Sequence, residues 1–218
     1  MTAPSGFAFH DPDVVLTDLA LALLGAWLGW RLARAPGAGT MTRTGVVIMS
    51  ALASAAFWGA IFHAFFPAGT ATPPGFIAWI PVVLSILVVA SALLDLGLRV
   101  GAPRLPRRAR RAIVVAYAAA FAAVALLVDE SYSTIVRFYV PALVLFLIAA
   151  GGQARRTRSA GWTWMAVSFA ISAVAAVLQQ ARVSIHPEYF DHNAVYHVLQ
   201  GIALVLLYVG FRRAPEIS

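Results

Sequence analysis

Seven continuous apolar runs of about twenty residues each, the length needed to cross a bilayer's hydrocarbon as a helix, dominate this chain. They cover approximately residues 14–32, 45–66, 76–98, 112–128, 134–150, 161–181 and 193–211 of 218. Proline and glycine punctuate the gaps, at Pro36-Gly37, from Pro67 to Gly75, at Pro103 and Pro106, at Gly151-Gly152 and at Pro187. No polar stretch between them is long enough to fold as a soluble domain. The sequence therefore predicts an all-α integral membrane protein, a single domain over residues 1–218 built as a seven-transmembrane helical bundle. Composition agrees, because only 11% of the residues are charged, against roughly a quarter in an ordinary soluble protein.

Every one of the 16 basic residues is arginine. Without a lysine there is no amine for a retinal Schiff base, which excludes that class of seven-helix protein. Without a cysteine there is neither a disulfide nor a thiolate ligand, so any metal must be held by nitrogen and oxygen. The net charge of +7 would suit nucleic acid, but the arginines cluster beside apolar spans, where the positive-inside rule explains them and no nucleic-acid partner is expected. Arg31, Arg34 and Arg43 flank the first loop, Arg99, Arg104, Arg107, Arg108, Arg110 and Arg111 the third, and Arg155, Arg156 and Arg158 the fifth. Arg212 and Arg213 follow the last span. Asp11, Asp13, Asp18, Asp129, Glu130, Glu188 and Asp191 fall on the other side. The expected topology places the amino terminus outside and the carboxyl terminus in the cytoplasm, in a plasma or bacterial inner membrane. Met1 to Asp13 lacks the basic region and cleavage site of a secretory signal, so the first span is expected to be retained.

Within the bundle, Gly25 and Gly29 repeat a small-xxx-small spacing and Ala118 to Ala125 make a thin helix, both signs of close helix approach. Trp79, Trp162, Trp164 and Tyr132 fall at span ends, where amphipathic rings anchor at the interface.

Polar groups gather near the outer ends of several spans. His63 lies about one turn inside the end of the second span, and His192 and His197 open the seventh. Asp18, Arg137 and Gln179-Gln180 reach a similar depth from the first, fifth and sixth. Histidines at one membrane depth on two distant segments suit a metal site, though a wetted helix-end imidazole is the simpler reading of His63 alone. His192 is rotated by about 140° from His197 on an ideal helix, and ligates beside it only if the helix start is unwound. Gln200 fits as a hydrogen-bond partner of His197, Asp191 as a helix N-cap, and His10 and His186 as loop residues. Three roles fit Asp18: a carboxylate orienting a metal-bound histidine, a general base, or a buried partner of Arg137 or Arg182. In the opposite half, Asp95 stands out, with Arg99 four residues on to pair with it.

A histidine near the end of the second of seven spans, His63, and a histidine pair at the start of the seventh, His192 and His197, resemble the CREST superfamily of alkaline ceramidases and progestin and adipoQ receptors. The resemblance implies zinc held by these three histidines and completed by water, and hydrolysis of a lipid amide or ester at the outer face. Membrane lipids would then be the partners and a lipid the substrate. Zinc would polarise a carbonyl and lower the pKa of its bound water. Asp18 would relay the proton, while Tyr196 or Arg137 would stabilise oxyanion charge. Three features depart from the pattern: Gly59 stands where the family has a serine, no acid occurs from Pro67 to Trp79, and the histidine pair is spaced by five rather than four. Two other classes stay open. One is a receptor or transport-type protein that binds a ligand in the outer pocket without hydrolysing it. The other is a haem-binding electron carrier with His63 and His197 as axial ligands. Oligomeric state is not legible.

Overall fold

The computed structural model describes residues 10–36, 39–186 and 189–216. Gly37, Pro187, Glu188 and the stretch before His10, all used above, lie outside the described residues. The architecture is all-helical: α1 (Pro12–Ala33), α2 (Thr40–Phe65), α3 (Pro73–Gly101), α4 (Arg107–Leu127), α5 (Tyr132–Thr157), α6 (Ala160–Gln180) and α7 (His192–Arg213). All seven are long and apolar enough to cross a membrane. Each overlaps one expected span, and most extend beyond it. Apolarity marks the segment suited to hydrocarbon, whereas backbone hydrogen bonding continues into the polar flank, as α5 does through Gly151-Gly152 to Thr157. Pro81 and Pro141 sit inside α3 and α5 without ending them.

Six helices close a ring. Each of α1–α2, α2–α3, α3–α5, α5–α6, α6–α7 and α7–α1 is a packed pair, while α4 stands outside the ring, chiefly against α3. On the α1–α2 seam, a side chain at Gly25 would meet Ala53 Cβ at 3.1 Å, and one at Gly29 would meet Met49 Cβ at 3.2 Å. The small-residue spacing in α1 thus produces the close approach expected of it. The alanine run of α4 does not. Only Phe121 and Ala125 of α4 are buried, and Ala119, Ala120 and Ala123 face outward. Phe121 stacks on Phe138 of α5 at 4.9 Å between centroids, and the Tyr117 hydroxyl donates to the Phe138 carbonyl at 2.7 Å.

The interfacial assignment of two tryptophans is also corrected. Trp162 is fully buried, and Trp79 is 8% exposed with its indole N–H donating to the Glu130 carbonyl at 2.8 Å. Position along a helix sets depth, but rotation about its axis decides whether a ring faces lipid or core. Both of these turn inward.

The two ends of the bundle are tied differently. At the acidic end, the His10 amide donates to the Ala64 carbonyl at 3.3 Å and the Asp191 amide to Asp13 Oδ2 at 3.0 Å, so α1 is fastened to the end of α2 and the start of α7. Asp191 caps α7 as expected, accepting from the amides of Asn193 and Ala194. Just before α5, hydrogen bonds from Thr134 and Ser131 hold the Asp129 carboxyl below the usual range. At the arginine-rich end, Glu216 accepts from the Met41 amide at 3.0 Å, which places a carboxylate at the positive end of the α2 dipole.

The same end holds α4 through charge. Asp95 accepts from Arg99 at 2.7 Å, the expected pair one turn away, and also from Arg110 of α4 at 2.9 Å. The second bond crosses between helices and is the better shielded, since the Arg110 side chain is 14% exposed against 30% for Arg99. We expect Asp95→Asn to cost about 1 kcal/mol, at the upper end for partly exposed pairs. Arg110→Gln should cost about as much, and the double substitution little more than either alone. Thermal midpoints in one detergent, compared as a double-mutant cycle, measure this coupling.

Candidate functional site

Inside the ring lies a cavity of about 310 Å³. Its polar wall is assembled from Asp18 of α1, Tyr132 of α5, Ser168, Ser172 and Gln179 of α6, and Asn193, Tyr196, His197 and Gln200 of α7, with His63 of α2. The remaining wall is apolar, running from Phe62 and Trp79 to Leu52, Val89 and Leu207. A volume near the small end of the ligand-pocket range suits one slender molecule.

Asp18 and His197 form the centre of the polar wall. Asp18 is 4% exposed, and its Oδ1 lies 3.2 Å from His197 Nε2. The other imidazole nitrogen, Nδ1, lies 3.1 Å from Thr17 Oγ1. The Thr17 hydroxyl is also within hydrogen-bond reach of the Asp13 and Val14 carbonyls, at 2.8 and 3.0 Å, the usual back-bonding of a helical threonine. With its own hydrogen committed there, Thr17 accepts from Nδ1–H. The Nε2 to Oδ1 contact then needs one proton between the two atoms. Wherever that proton resides, the pair carries no net charge, the inexpensive state for groups taken out of water.

Gly59 is what admits the carboxylate. A side chain built there would meet Asp18 Oδ2 at 2.9 Å. The register follows from the seam, because α1 and α2 run antiparallel and Gly25 opposite Ala53 brings Asp18 opposite Gly59 two turns later. Gly59 was read only as a departure from a family pattern; here it makes room for Asp18.

Of the residues proposed for the site from the sequence, Asp18, His63, His197 and Tyr196 line this cavity. His192 does not. It is 28% exposed on its side chain, with Nδ1 3.5 Å from Asp191 Oδ2. Arg137 does not either; it is exposed on α5, close enough to Asp129 for their charges to interact. His63 Nδ1 lies 3.6 Å from Asp11 Oδ2. Gln200 accepts from Ser172 at 3.0 Å, and Asn193 accepts from Gln179 at 3.1 Å. With Ser168 donating to the Ala203 carbonyl at 2.7 Å, these bonds lace α6 to α7 along the cavity. Tyr132, expected as an interfacial anchor, contributes to the wall, and Thr17 had no signal in the sequence at all.

The donor set does not fit a zinc ion as arranged. Among the described residues, no three His, Asp or Glu side chains come together as a metal-holding group. Nε2 of His197 shares a proton with Asp18, which a metal bound there would have to displace. The same engagement opposes an axial haem bond. What the arrangement can do is hold a polar head against Asp18, His197 and the tyrosine hydroxyls while an apolar body lies along the walls.

Residues 14–216 match a family of unknown function, DUF6962, and the chain belongs to that family. Neither a curated protein nor a solved structure matches it.

Thr17 offers the cleanest test of this geometry. Thr17→Val leaves a buried imidazole N–H without its acceptor, a loss of about 1 to 3 kcal/mol. Thr17→Ser keeps the hydroxyl and should stay within about 0.5 kcal/mol of the unsubstituted protein. Thermal midpoints of the purified variants report the difference.

Proposed function

We propose that this member of DUF6962 is an integral protein of the cell membrane, with its amino terminus outside, that binds one single-chain amphipathic molecule in the cavity between α1, α2, α3, α5, α6 and α7. The orientation rests on the arginines, since the loops after α1, α3 and α5 and the segment after α7 share the basic end. The observation that carries the binding reading is the segregation of the cavity wall. Polar side chains from α1, α5, α6 and α7, with His63 of α2, make one part of the lining, and aliphatic and aromatic side chains supply the rest. Such a wall suits a ligand with one hydrogen-bonding head and one slender apolar body.

This is the receptor or transport-type alternative, and it needs no metal. Zinc-dependent lipid hydrolysis, implied by the resemblance to the CREST superfamily, is the second reading. One observation favours it: His63 of α2 and His197 of α7, two of the expected ligands, reach the same cavity. Against it stand the lack of a third His, Asp or Glu beside them in a metal-holding group among the described residues and the position of His192. Elemental analysis separates the two. We expect less than stoichiometric zinc after metal loading, unchanged by His63→Ala; stoichiometric zinc lost in both His63→Ala and His197→Ala would put the hydrolase first.

Binding itself is tested by filling the cavity. Ala55 lines it from α2, so Ala55→Phe should reduce binding of a twelve-carbon alcohol in lipid nanodiscs by at least about tenfold, the 1.4 kcal/mol equivalent of a blocked apolar contact. Val47→Phe, at an outward position of the same helix that is 47% exposed, should leave binding unchanged. Equal binding in both variants would remove the cavity as the site.

A further inference from the structure

The cavity wall offers more to a cation than to an anion. It contains Asp18 and, among the described residues, no arginine; the chain has no lysine. An anionic head, whether a carboxylate or a phosphate, would enter this space without a counter-charge, at a cost of several kcal/mol for a desolvated ion. The lining also holds Phe62, Trp79, Tyr132, Tyr139, Phe169 and Tyr196, whose ring faces carry negative potential. A buried carboxylate beside several aromatic rings, with no competing cation, is the chemistry that receives an organic cation.

We infer that the cavity selects amphiphiles with an ammonium head over those with neutral or anionic heads, and that Asp18 is the residue that confers the preference. The inference rests on the binding reading above. Asp18 and His197 hold one proton between them, and an ammonium N–H takes its place at the carboxylate. That proton leaves to solvent as the cation enters, so the occupied site, like the empty one, carries no net charge. Thr17 keeps Nδ1–H of His197 directed away, so that Nε2 presents a lone pair to the incoming N–H. Gly59 leaves the other face of the carboxylate unobstructed by a side chain of its own. The other titratable groups on the wall are His63, Tyr132, Tyr139 and Tyr196. His63, the one of these able to gain positive charge, stands 3.6 Å from Asp11, which lies outside the cavity lining.

The test compares three twelve-carbon amphiphiles, dodecylamine, dodecanol and dodecanoate, with the full chain in zwitterionic nanodiscs at neutral pH. Ala55→Phe protein and empty nanodiscs give the background from bilayer partitioning. Dodecylamine should bind at least about tenfold more tightly than either competitor, the size expected of a desolvated cation over aromatic faces. Asp18→Asn should bring amine and alcohol to within about twofold of each other while alcohol binding persists, which also shows that the variant is folded. Tighter binding of the alcohol or the carboxylate would overturn the inference and leave the binding site standing. Saturable binding of none of the three would overturn both. The comparison in unsubstituted protein decides the charge preference even if Asp18→Asn does not fold.

Discussion

Close contact between α1 and α2 is the constraint on which the rest of the site depends. Glycine at positions 25 and 29 lets the two backbones approach until Ala53 and Met49 touch α1, and that approach locks an antiparallel register. Two turns further along, the register sets Asp18 against Gly59, the one residue type that leaves space for a carboxylate at that distance. Asp18 thereby reaches His197 across the α1–α7 boundary, and Thr17, next to it in sequence, reaches the other imidazole nitrogen. A wider seam would leave a carboxylate in an apolar bundle with neither partner.

The Asp18–His197–Thr17 arrangement also explains why a membrane-type bundle tolerates these groups. His197 has a partner at each nitrogen and Asp18 at Oδ1, and one proton between carboxylate and imidazole leaves no net charge to desolvate. The lacing of α6 to α7 follows the same logic. Ser168, Ser172 and Gln179 pair with the Ala203 carbonyl, Gln200 and Asn193, so side chains that would be costly singly become fasteners together. The polar groups were read as one layer near the span ends. They instead extend down the α6–α7 seam to Ser168, because successive turns of two packed helices present partners at several depths.

At the arginine-rich end, charge rather than small-residue packing ties α4 to the ring. Asp95 engages Arg99 within α3 and Arg110 from α4. The alanines of α4 look outward, so the thin helix turns them away from the ring rather than packing them tightly against it. Small residues in α1 and α4 thus have opposite outcomes. Glycine exposes backbone for a neighbour to contact, whereas alanine is equally content against lipid.

The sequence by itself determined the number of helices and their approximate limits, because apolar run length is a one-dimensional property. It also made Asp18, His63, Tyr196 and His197 candidates, and all four line the cavity. It did not determine rotation about each helix axis. That angle turned Trp162 and Trp79 inward, left His192 and Arg137 out of the cavity, and gave Gln200 to Ser172 rather than to His197. Helical periodicity orients a residue relative to its own helix only; which face meets which neighbour is settled by packing of the whole ring. For the same reason Thr17 and Gly59, unremarkable as letters, acquired their roles from the tertiary structure, where a hydroxyl and an absent side chain meet residues distant in the chain.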